Sequence, residues 1–181
     1  MTDSVNTGAA AVVWDLDGTL VDSAADIATS LNRLLVENDL EALDVARIRN
    51  MIGEGVAVLI RRGFEAHDVT PDGKRLEKLV ERFLVIYSEI ATASTSLFPG
   101  AREVLKALNN AGLRQAICTN KPEAITRQVL EGLGIGEIAG IVAPEAARVL
   151  EVRTEHCGKE LGLQLIVLLV GVGGGHCNRL R

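Results

Sequence analysis

The chain has 181 residues, 48% hydrophobic, 24% charged and 3% aromatic, with a formal net charge of −5. This length predicts one domain with room for a sizeable insertion, and this composition supports a packed core rather than disorder. The acidic balance and scarce aromatics exclude a basic, base-stacking nucleic-acid surface, and three cysteines (Cys118, Cys157, Cys177) do not make a disulfide framework.

The first eight residues are polar and do not read as a signal peptide, and the apolar run 161–175 is shorter than a membrane span. The expectation is a cytoplasmic α/β protein with no membrane or nucleic-acid partner. Residues 10–14, ending at Trp14, form an apolar run that reads as a buried strand. It leads into Asp15-Leu16-Asp17-Gly18-Thr19-Leu20-Val21-Asp22-Ser23. On extended backbone, carboxylates two residues apart point to one side, and Gly18 then permits a sharp turn. Ile27, Leu31, Leu34 and Leu35 share one face of a helix over residues 23–38, which Asp22 or Ser23 can cap. A second helical segment holds Val45, Ile48, Met51 and Ile52. Gly53-Glu54-Gly55 interrupts it before Val56, Leu59 and Ile60.

Pro71-Asp72-Gly73 marks a turn, and a longer helix follows with Leu76, Leu79, Val80, Phe83, Ile86, Tyr87 and Ile90 on a broad face. Residues 21–93 therefore read as an all-helical insertion. Strand–helix alternation resumes after Phe98-Pro99-Gly100. A helix with Val104, Leu105 and Leu108 stops at Gly112, and a strand over 116–118 ends at Thr119-Asn120-Lys121-Pro122. Pro122 suits the first position of the next helix, which carries Ile125, Val129, Leu130 and Leu133 and ends at Gly134. Further strands are expected over 138–142 and 165–170. The pattern predicts a doubly wound, Rossmann-like parallel sheet built from residues 1–20 and 94–181, with 21–93 as a helical cap. In such sheets ligands bind beyond the C-terminal strand ends, where Asp15 and Thr119 fall.

These residues suit phosphoryl transfer. Asp15 can act as nucleophile, and Asp17 on the same face can protonate a leaving alkoxide and then activate water. The Thr119 hydroxyl and the Asn120 N–H, at a helix start, can donate to phosphoryl oxygens. A hard cation, Mg²⁺, would bridge carboxylate and phosphate. A calcium-binding loop does not fit, since Gly18 stands at the fourth position, and adjacent His-Cys pairs at 156–157 and 176–177 lack zinc-ligand spacing. Cys118 reads as a buried strand residue, and Arg61-Arg62 as a solvated helix face that could meet a substrate carboxylate.

The runs DLDGTLVDS after an apolar strand and TNKP after the second strand resemble the haloacid-dehalogenase-like hydrolases. Within that family, DSAADIATSLN, RNMIGEGVAVLIRRGFE and FPGAREVLKALNNAGLRQAICTNKP are similar to phosphoglycolate phosphatases. The resemblance covers roughly residues 10–135. It implies Asp15 as nucleophile, Asp17 as acid and base, and Mg²⁺ held by the Asp15 carboxylate and the Asp17 carbonyl oxygen. Thr119 and Asn120 would lie at the phosphate, and Gly53, Glu54 and Gly55 would reach a small phosphorylated acid such as 2-phosphoglycolate.

Two family elements do not match. The expected lysine-proline pair falls on Arg148-Val149-Leu150-Glu151-Val152-Arg153, and an acidic GDSxxD motif falls on a stretch with Val172 and His176 at the aspartate positions. No aspartate follows Asp72, and no acidic residue follows Glu160. Lys121 is the nearest substitute for the missing ammonium. With so few ligands Mg²⁺ would bind weakly, so the chain is expected to show reduced or lost phosphatase activity. The simultaneous loss leaves two origins open, a reading-frame shift or truncation near residue 150 and a genuinely divergent family member, and the alternative function is a non-catalytic remnant. A phospho-acceptor receiver domain also uses strand-end Asp, Thr and Lys, but runs from strand to helix without such an insertion.

Overall fold

The computed structural model describes residues 11–136 and 140–142. Strand β1 (Ala11–Trp14) is followed by the short β2 (Val21–Asp22) and four helices: α1 (Ala24–Val36), α2 (Val45–Arg49), α3 (Val56–Glu65) and α4 (Gly73–Ile90). Then come β3 (Ser96–Leu97), α5 (Ala101–Asn110), β4 (Arg114–Cys118), α6 (Glu123–Gly132) and β5 (Gly140–Val142). The protein is mixed α/β. Strands β1, β4 and β5 form a parallel sheet in the order β1-β4-β5, with Val13 opposite Ala116 and Ile117 opposite Ile141. The expected strand over 165–170 and the unmatched stretches at 148–153 and 171–176 lie outside the described residues.

The four helices leave the sheet and return to it through one joint. Val21 and Asp22 pair antiparallel with Leu97 and Ser96, so β2 and β3 pin together the two ends of the helical segment. Asp26 secures that joint. Its buried carboxylate accepts bonds from the Ser94 N–H (2.9 Å), the Thr95 N–H (2.8 Å) and the Thr95 hydroxyl (2.7 Å). A buried carboxylate with three charge-assisted donors is a strong local anchor. Sequence periodicity gives no sign of it, because Asp26 stands on the helix beside Ile27 and looks like an ordinary first-turn acid.

Helices α1, α3 and α4 bury their apolar faces against one another through Leu31, Leu34, Ile60, Phe64, Phe83 and Ile86. The helix faces follow the expected periodicity, with two local differences. Val104 is exposed, since α5 turns only Ala101 and Leu105 fully inward. Ser23 occupies the N-cap of α1 without capping it: Asp22 accepts the Ala24 N–H instead, and the Ser23 hydroxyl turns to Asp17. Asp72 does cap α4, accepting the Arg75 N–H at 2.7 Å. Pro122 is the N-cap of α6, one position before the helix rather than its first residue.

Gly63 marks where α3 crosses α1. A Cβ there would stand 3.0 and 3.1 Å from the two methyls of the fully buried Leu31. Because Leu31 has no room to yield, Gly63→Ala is expected to cost about 1–3 kcal/mol by overpacking, despite alanine's better helix propensity. A urea midpoint equal to or above that of the parent protein would refute this.

Candidate active site

Strand β1 delivers Asp15 and Asp17 to its C-terminal end. Leu16 between them is fully buried and its carbonyl accepts the N–H groups of Leu20 and Val21, so the loop doubles back tightly over the strand end. Gly18 holds φ +83 at the apex, where a side chain would be strained although space is free. Beside β1, Trp14 donates to the Gln115 side chain at 3.0 Å, and Gln115 donates onward to the Leu105 carbonyl at 2.8 Å. This buried polar link ties β1 to β4 and α5, and so fixes the two strand tips relative to each other. Trp14 is thus a core residue beside the site, as its position suggested.

The tip of β4 supplies Thr119, Asn120 and Lys121. Thr119 is buried and its Oγ1 accepts the Lys121 N–H at 3.2 Å, forming the turn into α6. Asp15, Asp17, Thr119, Asn120 and Lys121 line one cleft, whose opposite wall is built from Gly53, Gly55, Val56 and Leu59 with Phe83 and Tyr87 of α4. The Asn120 side chain spans the cleft and donates to the Gly53 carbonyl at 2.8 Å, latching the 53–55 loop onto the strand end. Gly55, at φ +92, is the N-cap of α3, and a Cβ there would stand 3.9 Å from the Asn120 Cβ. Glu54 turns away: its exposed carboxylate pairs with Arg62 and does not line the cleft. Arg62 also donates to the Met51 carbonyl at 3.4 Å, so it braces the loop and does not itself line the cleft.

The electrostatics are unusual for a small cleft. Burial raises the affinity of Asp15 for its proton; the Asp17 charge adds to that rise, while the Leu16 N–H and Lys121 oppose it. Lys121 has a side chain only 2% exposed, with its Nζ 3.0 Å from Asp17 Oδ1 and 2.6 Å from the Tyr87 hydroxyl. Ser23 donates a short bond to the same Asp17 oxygen. Cys118 is half-buried, not fully buried as the strand pattern suggested, and burial together with Asp15 pushes its thiol up, away from a reactive thiolate.

The groups in the cleft able to ligate a cation are the Asp15 and Asp17 oxygens, and two carboxylates with one raised proton affinity form a place that a hard cation would relieve. Among the described residues no group of three His, Cys, Asp or Glu side chains converges. The set therefore fits Mg²⁺ keeping most of its own water. Tyr87 and Ser23 are the site residues that sequence reading did not single out. Tyr87 looks like one more apolar position on α4, and Ser23 like a cap.

The haloacid dehalogenase-like hydrolase family model matches residues 12–147. The chain belongs to that family. It is 48% identical over 124 residues to a phosphoglycolate phosphatase of Cereibacter sphaeroides, covering 68% of this chain and 57% of that protein. It is 41% identical over 131 residues to that of Rhodospirillum rubrum, covering 70% of this chain and 54% of the relative. The chain thus spans little more than half the length of these curated relatives. Among solved structures, a predicted phosphoglycolate phosphatase from Haemophilus somnus superposes with a TM-score of 0.70 at 26% identity, covering 83% of this chain and 68% of that one. Among the described residues no helix is long and apolar enough to cross a membrane.

Proposed function

We propose that this cleft is a phosphomonoester hydrolase site working through an aspartyl-phosphate, with a small phosphorylated acid of the 2-phosphoglycolate type as substrate. The observation that carries the reading is the convergence of Asp15, Asp17, Thr119 and Lys121 on one cleft. In this reading residues 1–20 and 94–181 form a doubly wound core, and residues 21–93 serve as a cap whose Gly53 and Gly55 wall the substrate in.

The chemistry assigned to each residue follows from its place. Asp15 attacks phosphorus, with the leaving oxygen departing on the opposite side. Asp17 gives that oxygen a proton and later takes one from water; Ser23 and Lys121 fix the direction of its carboxylate. The Thr119 hydroxyl and the Asn120 N–H face the phosphoryl oxygens. The Asp15 carboxylate and the Asp17 carbonyl oxygen would hold Mg²⁺, which when bound supplies charge against phosphate–carboxylate repulsion.

Turnover of the chain is expected to be weak. The Val172 and His176 positions offer no acidic ligand, so the cation leans on Asp15 and one carbonyl. This same feature favours the second reading, a non-catalytic remnant that binds phosphate weakly or not at all. Beryllium fluoride with Mg²⁺ mimics a phosphorylated aspartate and should raise the melting temperature by mass action, and Asp15→Asn should erase the rise. No shift in the parent protein would overturn the site assignment. Release of phosphate from 2-phosphoglycolate well below about 1 s⁻¹ is expected, whereas ordinary enzymatic turnover would refute the reduced activity.

A further inference from the structure

Position 87 lies on the buried face of α4 beside Phe83 at the cleft wall, with the two rings 5.6 Å apart, and is 2% exposed. A phenylalanine would satisfy that packing. A buried hydroxyl is costly unless it is bonded, so its partners explain its presence. The Tyr87 oxygen accepts from Lys121 Nζ at 2.6 Å, and the ammonium also lies 4.7 Å from the ring centroid. Ser23 in turn donates to the same Asp17 oxygen that faces the ammonium.

Tyr87, Lys121, Asp17 and Ser23 thus form a chain of four bonded groups drawn from helix α4, the β4–α6 turn, the loop after β1 and the start of α1. Without the hydroxyl, a four-carbon lysine stem retains several rotamers around a single carboxylate. With it, the ammonium is held from two sides. We propose that Tyr87 is a positioning residue that fixes the Lys121 ammonium at the cleft, so that the helical segment itself sets the site's positive charge. Lys121 then supplies the charge that the residues at 148–153 do not. This rests on the phosphate-binding reading of the cleft and adds to it a dependence on α4.

The test is calorimetric binding of inorganic phosphate in the presence of Mg²⁺ to the full chain, to Tyr87→Phe, to Lys121→Met and to the double variant. Lys121→Met is expected to weaken binding about tenfold or more, and Tyr87→Phe about threefold, because a charge-assisted bond is lost while the ring stays. The double variant should bind no more weakly than Lys121→Met alone; a purely structural effect of the hydroxyl would instead add. A second readout needs no phosphate. The Lys121 ammonium, shielded and doubly bonded, should give a slowly exchanging lysine Nζ–Hζ NMR resonance that Tyr87→Phe broadens or removes. Unchanged binding in either single variant, additive losses, or absence of that resonance from the parent protein would overturn the inference while leaving the phosphate site standing. No phosphate binding by the parent protein would overturn both.

Discussion

Asp15→Asn is expected to lower Mg²⁺-dependent phosphate release by at least about a thousandfold and, in the absence of metal, to stabilise the fold on the order of 1 kcal/mol. The first effect follows from the role proposed for Asp15 as the attacking carboxylate. The second follows from the surroundings of that carboxylate. Burial raises the folded-state proton affinity of Asp15, and Asp17 adds to it, so the ionised form is disfavoured in the native cleft. A group whose folded pKa lies above its unfolded value leaves stability intact below the unfolded value. That stability is then lost as pH rises through the folded one. Asparagine copies the protonated acid and escapes the loss. The advantage of the variant should be absent well below the ordinary carboxylate value of 3.8, grow as pH rises, and level off above the raised folded value. Denaturant melts with a chelator across that range measure it directly. If Asp15→Asn is destabilised at neutral pH, the carboxylate is a structural ligand and not a strained catalytic one.

The other large effect is structural. Asp26→Ala strips partners from the buried Thr95 N–H and hydroxyl and from the Ser94 N–H, at the joint where the helical segment returns to the sheet. Each orphaned donor costs about 1–3 kcal/mol, so the loss should reach about 3 kcal/mol or more against the roughly 5–15 kcal/mol that holds a typical domain together. Asp26→Asn keeps one acceptor oxygen and should cost clearly less. Equilibrium urea unfolding of both variants would show the order. If alanine and asparagine are equally mild, the carboxylate is not the anchor it looks to be. The exposed Arg82–Glu37 and Arg33–Glu89 pairs should by contrast contribute little, since water and salt screen them.

Much of this molecule is written locally. The Asp15-Leu16-Asp17-Gly18-Thr19 run is legible because two acids spaced two apart after an apolar strand come to one strand end, and the family match over residues 12–147 includes them. Helix faces were equally legible, since Leu31, Leu34, Phe83 and Ile86 repeat with the helical period and are buried accordingly. Gly53 and Gly55 also stand where a loop reaching the cleft was expected, while Glu54 between them turns out to Arg62. Adjacent residues of a tight loop point apart, and only the fold decides which way each goes.

The sequence by itself therefore determined the family, the strand-end carboxylates and the alternation of helices and strands, because each depends on residues a few positions apart. The tertiary structure alone decided the role of residues whose partners are distant in the chain. Tyr87 meets Lys121 across 34 positions, Asp26 meets Thr95 across 69, and Trp14 meets Gln115 across 101. No periodicity encodes such pairs. They arise when helices pack and polar atoms carried into the interior must find bonds there, and that requirement turned an apparent core tyrosine into the partner of the cleft's one lysine among the described residues.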